Sequence, residues 1–318
     1  VLMSHLGNPK DGYESSKSLA PICESLCHLL NMDVKFAKDA IGNDTRKMVD
    51  DLKGGEVLLL ENLRFHSEEK ANDPEFAKTL ASYGDIYVND AFGTSHRKHA
   101  STYGIGEYLP CVSGFLIEKE IAMLGNALEQ PEREFTAILG GAKVSSKIGV
   151  INHLLEKVDN IIIGGGMAFT FIKAMGHSIG TSILDEEHIN YAREILEMAK
   201  KENVNVFLPK DVIVADSFSN DANTKVVDVD GIPEGYMGLD IGPKTCKEFT
   251  DVILRSKTII WNGPMGAFEM PKFAKGTKDV AYAMAQCGGI TIVGGGDSAR
   301  AIDSFGLQSK MTHISTGG

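Results

Sequence analysis

Four glycine-rich turns in the second half of the chain have the residue types that bind phosphate groups. They are Gly140-Gly141-Ala142-Lys143, Gly164-Gly165-Gly166, Asn262-Gly263-Pro264 and Gly294-Gly295-Gly296-Asp297. Glycine lets the backbone approach a phosphate closely, and the N-terminus of a following helix offers free N–H groups. A nucleotide is the natural ligand for such a set, although each turn could instead serve only to reverse the chain sharply.

The turn that contains Asp297 limits which class of nucleotide-binding site the sequence can form. The sequence contains no GxxxxGK[ST] pattern, which excludes a P-loop NTPase. Gly294 to Ala299 fits the dinucleotide pattern GxGxxA, but the Asp297 carboxylate would repel a pyrophosphate unless a metal ion lay between them. Asp297 therefore suits a Mg²⁺ ion that bridges to phosphates, with a helix N-cap as its alternative role.

Lys143 and Lys147 are four residues apart. If a helix begins near Ala142, both ammonium groups lie on one face of its first turn, where they repel each other and oppose the helix dipole. An anion between them would convert this repulsion into attraction. The alternative is two solvated surface lysines.

Basic residues mark three motifs in the first half of the chain. These are Ser4-His5-Leu6-Gly7, Asn62-Leu63-Arg64-Phe65-His66 and His96-Arg97-Lys98-His99. Each follows a predicted strand, and Arg and His side chains that converge at strand ends form a site for phosphate or carboxylate. A metal site at His96 and His99 is not indicated, because the intervening cations would repel a metal ion. Scattered surface residues are the alternative interpretation.

The composition limits the class of protein. The 318 residues carry a net charge of −11, which argues against a general nucleic-acid surface. No apolar run is long enough to cross a membrane. Five widely spaced cysteines form no CxxC pair, which argues against a disulfide framework or a zinc site and favours a reducing compartment. We therefore expect a cytoplasmic protein.

The turns are positioned by short strands that alternate with helices, a pattern typical of parallel sheets with helices on both faces. The predicted strands are Val1–Met3, Glu56–Leu60, Asp85–Val88, Phe135–Leu139, Asn160–Ile163, Thr258–Trp261 and Gly289–Val293. Helical periodicity is clearest over Asp185–Lys201 and Gly114–Leu128. We place the domain boundary at the second of these stretches. This gives one domain over 1–113, a connecting helix over 114–129 and a second domain over 130–318.

Taken together, these motifs resemble the phosphoglycerate kinase family across nearly the whole chain. The resemblance rests on SHLG (4–7), ENLRFH (61–66), VNDAFGTSHR (88–97), GGAKVSSKI (140–148), GGGMAF (164–169), LDIGP (239–243), WNGPMGAFE (261–269) and GGGDS (294–298). It implies an α/β fold of two Rossmann-like parallel-sheet domains that are joined by a helix and close about a hinge. It also implies reversible phosphoryl transfer between 1,3-bisphosphoglycerate and MgADP in glycolysis, and no membrane or nucleic-acid partner. We expect a monomer.

The resemblance also implies roles for individual residues. His5, Arg64, His96 and Arg97 correspond to the patch that holds 3-phosphoglycerate. Lys147 would neutralise the transferring phosphoryl group with Lys143 beside it, and Arg97 joins them as a catalytic residue. Asp297 would hold Mg²⁺. The nucleotide would lie against Gly141, Ala142, Lys143, Lys147, Gly165, Gly166, Met237, Leu239, Asn262, Pro264, Glu269, Gly295, Gly296, Asp297 and Ser298.

The chain departs from the family pattern in three places. Asn8 stands where the family usually has Arg or Lys. The family's Asp-Phe-Asn segment with its arginines is not in the sequence, and the helix after the final glycines is cut at Thr316-Gly317-Gly318. We therefore expect that these 318 residues alone are nearly inactive, because the loss of a transition-state arginine costs about 10³–10⁵ in rate in related reactions.

Two other functions remain open from the sequence. A nicotinamide-dependent dehydrogenase could use the turn at Gly294, in which case it would prefer NAD to MgADP. The second alternative is a nucleotide-binding protein without catalytic activity, and Asn8 is the residue that supports this interpretation.

Overall fold

The computed structural model describes residues 1–10, 12–315 and 317. The chain separates into two compact units, Val1–Lys119 and Glu120–Gly318. The division falls inside a helix that runs over Phe115–Glu129, close to the predicted connecting helix. The prediction that a helix is cut off after the final glycines concerns residues 316–318. Of these, Thr316 and Gly318 lie outside the described residues.

The first unit contains two small parallel sheets. Its helices are α1 (Ala20–Leu30), α2 (Asn43–Asp50), α3 (Ser67–Ala71) and α4 (Pro74–Ala81), and its strands are β1 (Val34–Ala37), β2 (Val57–Leu60), β3 (Tyr87–Asn89) and β4 (Cys111–Ser113). β1 pairs with β2, and β3 pairs with β4. The predicted strand over Val1–Met3 is reduced to a single parallel bridge between Leu2 and Leu59.

The second unit is built on one six-stranded parallel sheet. After α5 (Phe115–Glu129) come the strands β5 (Phe135–Leu139), β6 (Asn160–Ile163), β7 (Asn205–Phe207), β8 (Asp211–Ala215), β9 (Thr224–Asp228), β10 (Met237–Ile241), β11 (Thr258–Asn262), β12 (Ile290–Gly294) and β13 (His313–Ile314). The helices are α6 (Ile148–Leu155), α7 (Ala168–Ala174), α8 (Ile189–Lys201), α9 (Pro243–Arg255), α10 (Lys275–Gln286) and α11 (Gly296–Ser304). The strand order is β13-β12-β11-β5-β6-β7.

Alternating side chains of the central strand β5 enter two separate cores. Ala137 and Leu139 pack with α6, α7 and α8 on one face, whereas Ile138 packs with α9 and α10 on the other. Successive residues of a strand point to opposite faces, so a strand covered on both sides is apolar throughout. The predicted parallel sheet with helices on both faces is therefore confirmed for this unit.

A three-stranded antiparallel sheet, in the order β10-β8-β9, accompanies the parallel one. The sequence pattern did not predict this additional sheet, because no α-helix lies between its strands and the alternation of strand and helix is missing there. Two buried carboxylates attach this sheet to helix N-termini. Asp211 accepts hydrogen bonds from the backbone N–H groups of Lys244 (3.0 Å) and Thr245 (2.8 Å) in α9. Asp240 accepts one from Gly276 N in α10 (2.8 Å).

Among the described residues, no helix is both long and apolar enough to span a bilayer.

Candidate functional site

The four glycine-rich turns lie at one edge of the large parallel sheet. They follow β5, β6, β11 and β12, which are neighbours in the order β12-β11-β5-β6. Because parallel strands end at the same edge, these four loops meet there, which is where ligands bind in open α/β sheets.

The loops touch through their backbones. Gly140 N donates to Asn262 O (2.9 Å) and Gly165 N donates to Met265 O (3.1 Å). A Cβ at Gly140 would lie 2.2 Å from Pro264 O, which leaves no room for a side chain. These glycines therefore permit close packing of the loops, in addition to leaving backbone exposed for a ligand.

Two adjoining cavities open between the loops. A cleft of about 540 Å³ contains nine of the predicted nucleotide residues in its wall, namely Gly141, Ala142, Gly165, Gly166, Met237, Leu239, Pro264, Glu269 and Asp297. A smaller pocket of about 280 Å³ is lined by Lys147, Asn262, Gly295, Gly296 and Ser298. Gly141, Ala142, Pro264 and Asp297 line both, so the two cavities share one wall. The site has an apolar part of the size of a base and a polar part suited to phosphates.

The antiparallel sheet supplies the apolar wall of the cleft, which the sequence analysis identified only through Met237 and Leu239. Gly238 lies between them, and a Cβ there would lie 2.0 Å from the ring of Phe169. The ring fills the space that a side chain at position 238 would need. Val212 and Phe218 also line the cleft. Val212 and Phe218 were not predicted as site residues, because isolated apolar residues in a sequence do not reveal which cavity they face.

Asp240 lies beneath this wall and was also missed. Its side chain is 3% exposed, and its Oδ1 accepts a hydrogen bond from Ile241 N (2.9 Å). Burial raises the pKa of Asp240 to about 7, because the two backbone N–H donors offset only part of the desolvation. Gly266 and Gly276 lie against the carboxylate with no space for a Cβ.

Lys147 lies in the smaller pocket, where its Nζ donates to Asn262 Oδ1. Burial lowers the pKa of Lys147, and the nearby Asp297 carboxylate opposes that shift. The ammonium group is thus held at the polar end of the site by an amide rather than a carboxylate, which leaves its charge available to an anion.

Lys143 does not line the pocket that contains Lys147. The expected helix start near Ala142 was wrong: a 3₁₀ turn runs over Val144–Lys147, and α6 begins at Ile148. Lys143 precedes that turn, is exposed and lines neither cavity. The two lysines therefore do not lie on one face of an α-helical turn.

Asp297 lies in the first turn of α11 and faces both cavities. Its Oδ1 lies 3.0 Å from Arg300, which also pairs with Glu269 (2.9 Å). Among the described residues, no group of three or more His, Cys, Asp or Glu side chains could hold a metal ion. A single carboxylate fits a Mg²⁺ ion that arrives with nucleotide phosphates, since Mg²⁺ is commonly held by one or two carboxylates plus phosphate oxygens.

Ser298 has a structural contact in this site. Its hydroxyl is fully buried and accepts a hydrogen bond from Gly263 N (2.6 Å). It thereby joins the turn after β12 to the turn after β11, and both turns line the smaller pocket.

In the first unit, Asn62 organises the predicted anion patch. It is fully buried, its Nδ2 donates to Leu6 O (2.8 Å) and Lys17 O (2.9 Å), and its Oδ1 accepts from Arg64 N (3.0 Å). Arg64 in turn donates from Nη1 to Gly7 O (2.8 Å). The ENLRFH motif and the SHLG turn are therefore fixed to each other through a buried amide.

The basic side chains act on one another electrostatically. Burial, together with the nearby charges of Arg64, Arg97 and His99, lowers the pKa of His5 to about 4. The pKa of His99 is lowered by burial and then by Arg64, Arg97, Lys70 and His96. The four predicted residues therefore belong to one cluster, and His99 and Lys70 extend it. Mutually repelling cations of this kind are stabilised when an anion binds.

Arg64 and Glu69 show how the cluster is balanced. Arg64 Nε is buried without a hydrogen-bond partner. Glu69 is 3% exposed and accepts from the hydroxyl (2.6 Å) and the N–H (3.0 Å) of Ser101, while His99 Nδ1 lies 3.7 Å away. Burial raises the pKa of Glu69. The carboxylate is thus engaged by Ser101, and the outward-facing cations are left for a ligand.

Comparison with known proteins agrees with this arrangement. The sequence pattern that defines the phosphoglycerate kinase family matches residues 1–318. The chain belongs to the phosphoglycerate kinase family. Members of the phosphoglycerate kinase family are kinases that transfer a phosphoryl group in glycolysis, so the chain is assigned to the kinase class of transferases.

Relatives support the assignment over the whole chain. The phosphoglycerate kinase of Dictyoglomus turgidum is 54% identical over 100% of this chain and 80% of its own length. That of Prosthecochloris aestuarii is 56% identical over 100% of this chain and 81% of its own length. The phosphoglycerate kinase structure from Coxiella burnetii has a TM-score of 0.85 at 41% identity, covering 99% of this chain and 80% of that one. The phosphoglycerate kinase structure from Pyrococcus horikoshii has a TM-score of 0.82 at 30% identity, covering 98% of this chain and 80% of that one.

Proposed function

We propose that the protein to which these residues belong transfers a phosphoryl group reversibly between 1,3-bisphosphoglycerate and MgADP, giving 3-phosphoglycerate and MgATP. The observation that carries the proposal is the meeting of four glycine-rich loops with Lys147 and Asp297 at one sheet edge, in a chain of this family. No covalent enzyme intermediate is needed, because phosphoryl transfer is catalysed mainly by positioning and charge stabilisation.

The nucleotide binds in the two adjoining cavities of the second unit. The base lies in the apolar part, against Met237, Gly238 and Leu239, and the sugar lies near Glu269. The phosphates lie in the polar part, where the N-terminus of α11 presents the N–H group of Gly296, while Gly295 N donates to Gly317 O (2.8 Å). Backbone amides and the positive end of the helix dipole stabilise the phosphate charge there.

Asp297 would hold the Mg²⁺ ion, which when bound neutralises phosphate charge. Arg300 is the present partner of Asp297 and must share the carboxylate with an incoming ion. Lys147 stabilises the negative charge of the transferring phosphoryl group, and its partial burial strengthens that effect.

The three-carbon substrate binds in the first unit. His5, Arg64, His96 and Arg97 hold its phosphate or carboxylate, with Asn62 holding the Arg64 backbone and Gly7 O accepting from Arg64 Nη1. Arg97 contributes its charge to the same cluster, and we assign it a catalytic role in the transfer. The protein acts as a monomer in the cytoplasm under this proposal.

Two measurements test the proposal. The chain is titrated by calorimetry with MgADP and, separately, with NAD, and we expect binding of MgADP; a preference for NAD would favour a dehydrogenase. ATP formation from 1,3-bisphosphoglycerate is then measured in a coupled assay for the full-length gene product and for these 318 residues. We expect turnover by the former and nearly none by the latter. Failure of the full-length product to form ATP would favour a nucleotide-binding protein without catalysis.

A further inference from the structure

Lys70 lies beside Asn8, a neutral residue at the edge of the cationic patch. Its ammonium group donates a hydrogen bond to Asn8 Oδ1 across 62 positions of sequence. Asn8 follows Gly7, whose φ of +62° turns the chain at the end of the SHLG motif. The neighbouring Gly7 carbonyl accepts from Arg64, so Arg64 and Lys70 hold adjacent residues of the same turn.

We propose that Lys70 supplies the cation that Asn8 lacks, and that it binds the phosphate of the three-carbon substrate together with Arg64. The inference rests on the proposed function, because it adds a binding residue to the substrate site of the first unit.

A shared cavity supports this role. Arg64 and Lys70 both line a cavity of about 360 Å³, together with Lys10, His66, Ser67 and Glu68. Among the described lining residues, three of these additional groups are polar or basic, and Glu68 contributes a carboxylate that accepts a hydrogen bond from the Ser67 hydroxyl (3.3 Å). The cavity therefore has an excess of hydrogen-bond donors, as an anion site requires.

The short helix α3 keeps Lys70 on the outer side of the patch. Glu69, its neighbour, faces inward and is held by Ser101, and its backbone carbonyl accepts from Ala100 N (2.8 Å). The adjacent side chain of Lys70 is exposed. Glu69 thus fixes the helix to the loop that carries His96 and Arg97, while Lys70 faces solvent near Asn8.

The contact with Asn8 leaves Lys70 with spare capacity. An ammonium group has three N–H donors, and the amide oxygen takes one of them. The partner in the structure is a neutral amide, and among the described residues no carboxylate forms an ion pair with Lys70 Nζ. Its charge still acts on the patch, because it contributes to the lowered pKa of His99. An uncompensated cation with free donors next to Arg64 is suited to a phosphate.

The test compares binding of 3-phosphoglycerate by calorimetry in variants of the full-length gene product. Lys70→Met keeps the apolar stem and removes the charge, and we expect affinity to fall about 10- to 100-fold, the range for a charge-assisted hydrogen bond. The double variant Asn8→Lys with Lys70→Asn exchanges the two groups, and we expect it to recover to within about threefold of the wild type. Lys78→Met, an exposed lysine of the same unit, should bind like the wild type.

Three readings decide the outcome. If Lys70→Met binds 3-phosphoglycerate as tightly as the wild type, with an unchanged salt dependence, the inference is overturned and the proposed function is left intact. A double variant as weak as Lys70→Met also overturns it, because a charge at either position should serve. Wild-type protein that binds MgADP but no 3-phosphoglycerate rejects the substrate assignment and the inference together. MgADP affinity in every variant checks that the fold is preserved, since Lys70 is exposed and lies outside the nucleotide cleft.

Discussion

The two proposed anion sites are built from different materials. The site of the first unit uses charged side chains, whose neighbouring charges add to burial in lowering the pKa of His5 to about 4. The site of the second unit is lined by the backbone of four glycine-rich loops and the start of α11, with one lysine, Lys147, at its polar end. Side-chain charges give a strong, salt-sensitive attraction, whereas fixed backbone dipoles give a shaped surface with little net charge. The first design suits a small, highly charged substrate and the second suits a larger ligand with an apolar base.

The largest expected effect concerns the cation of the backbone-lined site. Lys147→Ala should lower kcat by about 10² or more, the cost of losing one charge-stabilising donor, while MgADP affinity changes little because the cleft walls are intact. Steady-state kinetics and calorimetry separate the two quantities. Lys201→Ala is the matched control, since Lys201 is an exposed lysine of α8 that lines neither cavity. Unchanged turnover of Lys147→Ala would remove this residue from the mechanism.

The next effect belongs to the side-chain site. Arg64→Ala should weaken 3-phosphoglycerate binding by about 10- to 100-fold and leave MgADP binding unaltered, because it removes a charged donor that Asn62 holds in place. Calorimetric titration with each ligand measures this. Arg46→Ala, which breaks an exposed pair with Asp50, serves as the comparison. Equal affinities in the two variants would contradict the assignment of the patch.

A smaller effect tests the apolar wall of the cleft. Gly238→Ala places a methyl group where the Phe169 ring lies, so the wall must shift. We expect a loss of about 1–3 kcal/mol in unfolding free energy, the usual cost of overpacking, and MgADP affinity about tenfold weaker. Gly149→Ala, with nothing within 4 Å of the added carbon, should do neither. Denaturant unfolding and nucleotide titration provide the measurements, and wild-type affinity in Gly238→Ala would show that the base binds elsewhere.

The smallest effect is the pH dependence of the cationic patch. The pKa of His5 is about 4 in the folded chain, against 6.5 for the free side chain, so His5 stays neutral as the pH falls toward 5. A bound dianion offsets the neighbouring cations and raises this pKa, so binding takes up protons and the affinity increases a few-fold as the pH falls toward about 4, the pKa of the unoccupied site. NMR titration of the His5 ring with and without sulfate measures the shift. Sulfate keeps its charge over this range, and an identical pKa in both titrations would place the anion away from His5.

The sequence predicted the parallel framework better than the rest of the chain. β5 and β6 have the predicted bounds, because strands buried on both faces form short apolar runs, and here each run ends at a glycine. β8, β9 and β10 were missed, since they do not alternate with helices and β9 is largely exposed. The strand at Val1–Met3 depends on pairing that a local pattern cannot reveal, and the structure retains one bridge there.

For the sites, motifs located the binding loops but not every side chain. Glycine-rich turns after strands placed the loops at one edge because strand direction fixes where they meet. Lys143 was misplaced because the helix start depends on a 3₁₀ turn that spacing alone does not predict. Lys70 was overlooked because it follows Glu68 and Glu69, and such a run is typical of a solvated helix face. Which of these residues bind ligands stays a prediction until the variants are measured.

The attachment of the antiparallel sheet has an evolutionary consequence. Asp211 and Asp240 join this sheet to the first turns of α9 and α10, while the glycine-rich loops belong to other strands. Changes among the cleft-facing residues of β8 and β10 can therefore alter the apolar wall of the cleft without disturbing the four loops. A lineage that keeps the two aspartates is free to diversify the surface between them, so under the proposed function base preference and catalytic chemistry can evolve separately.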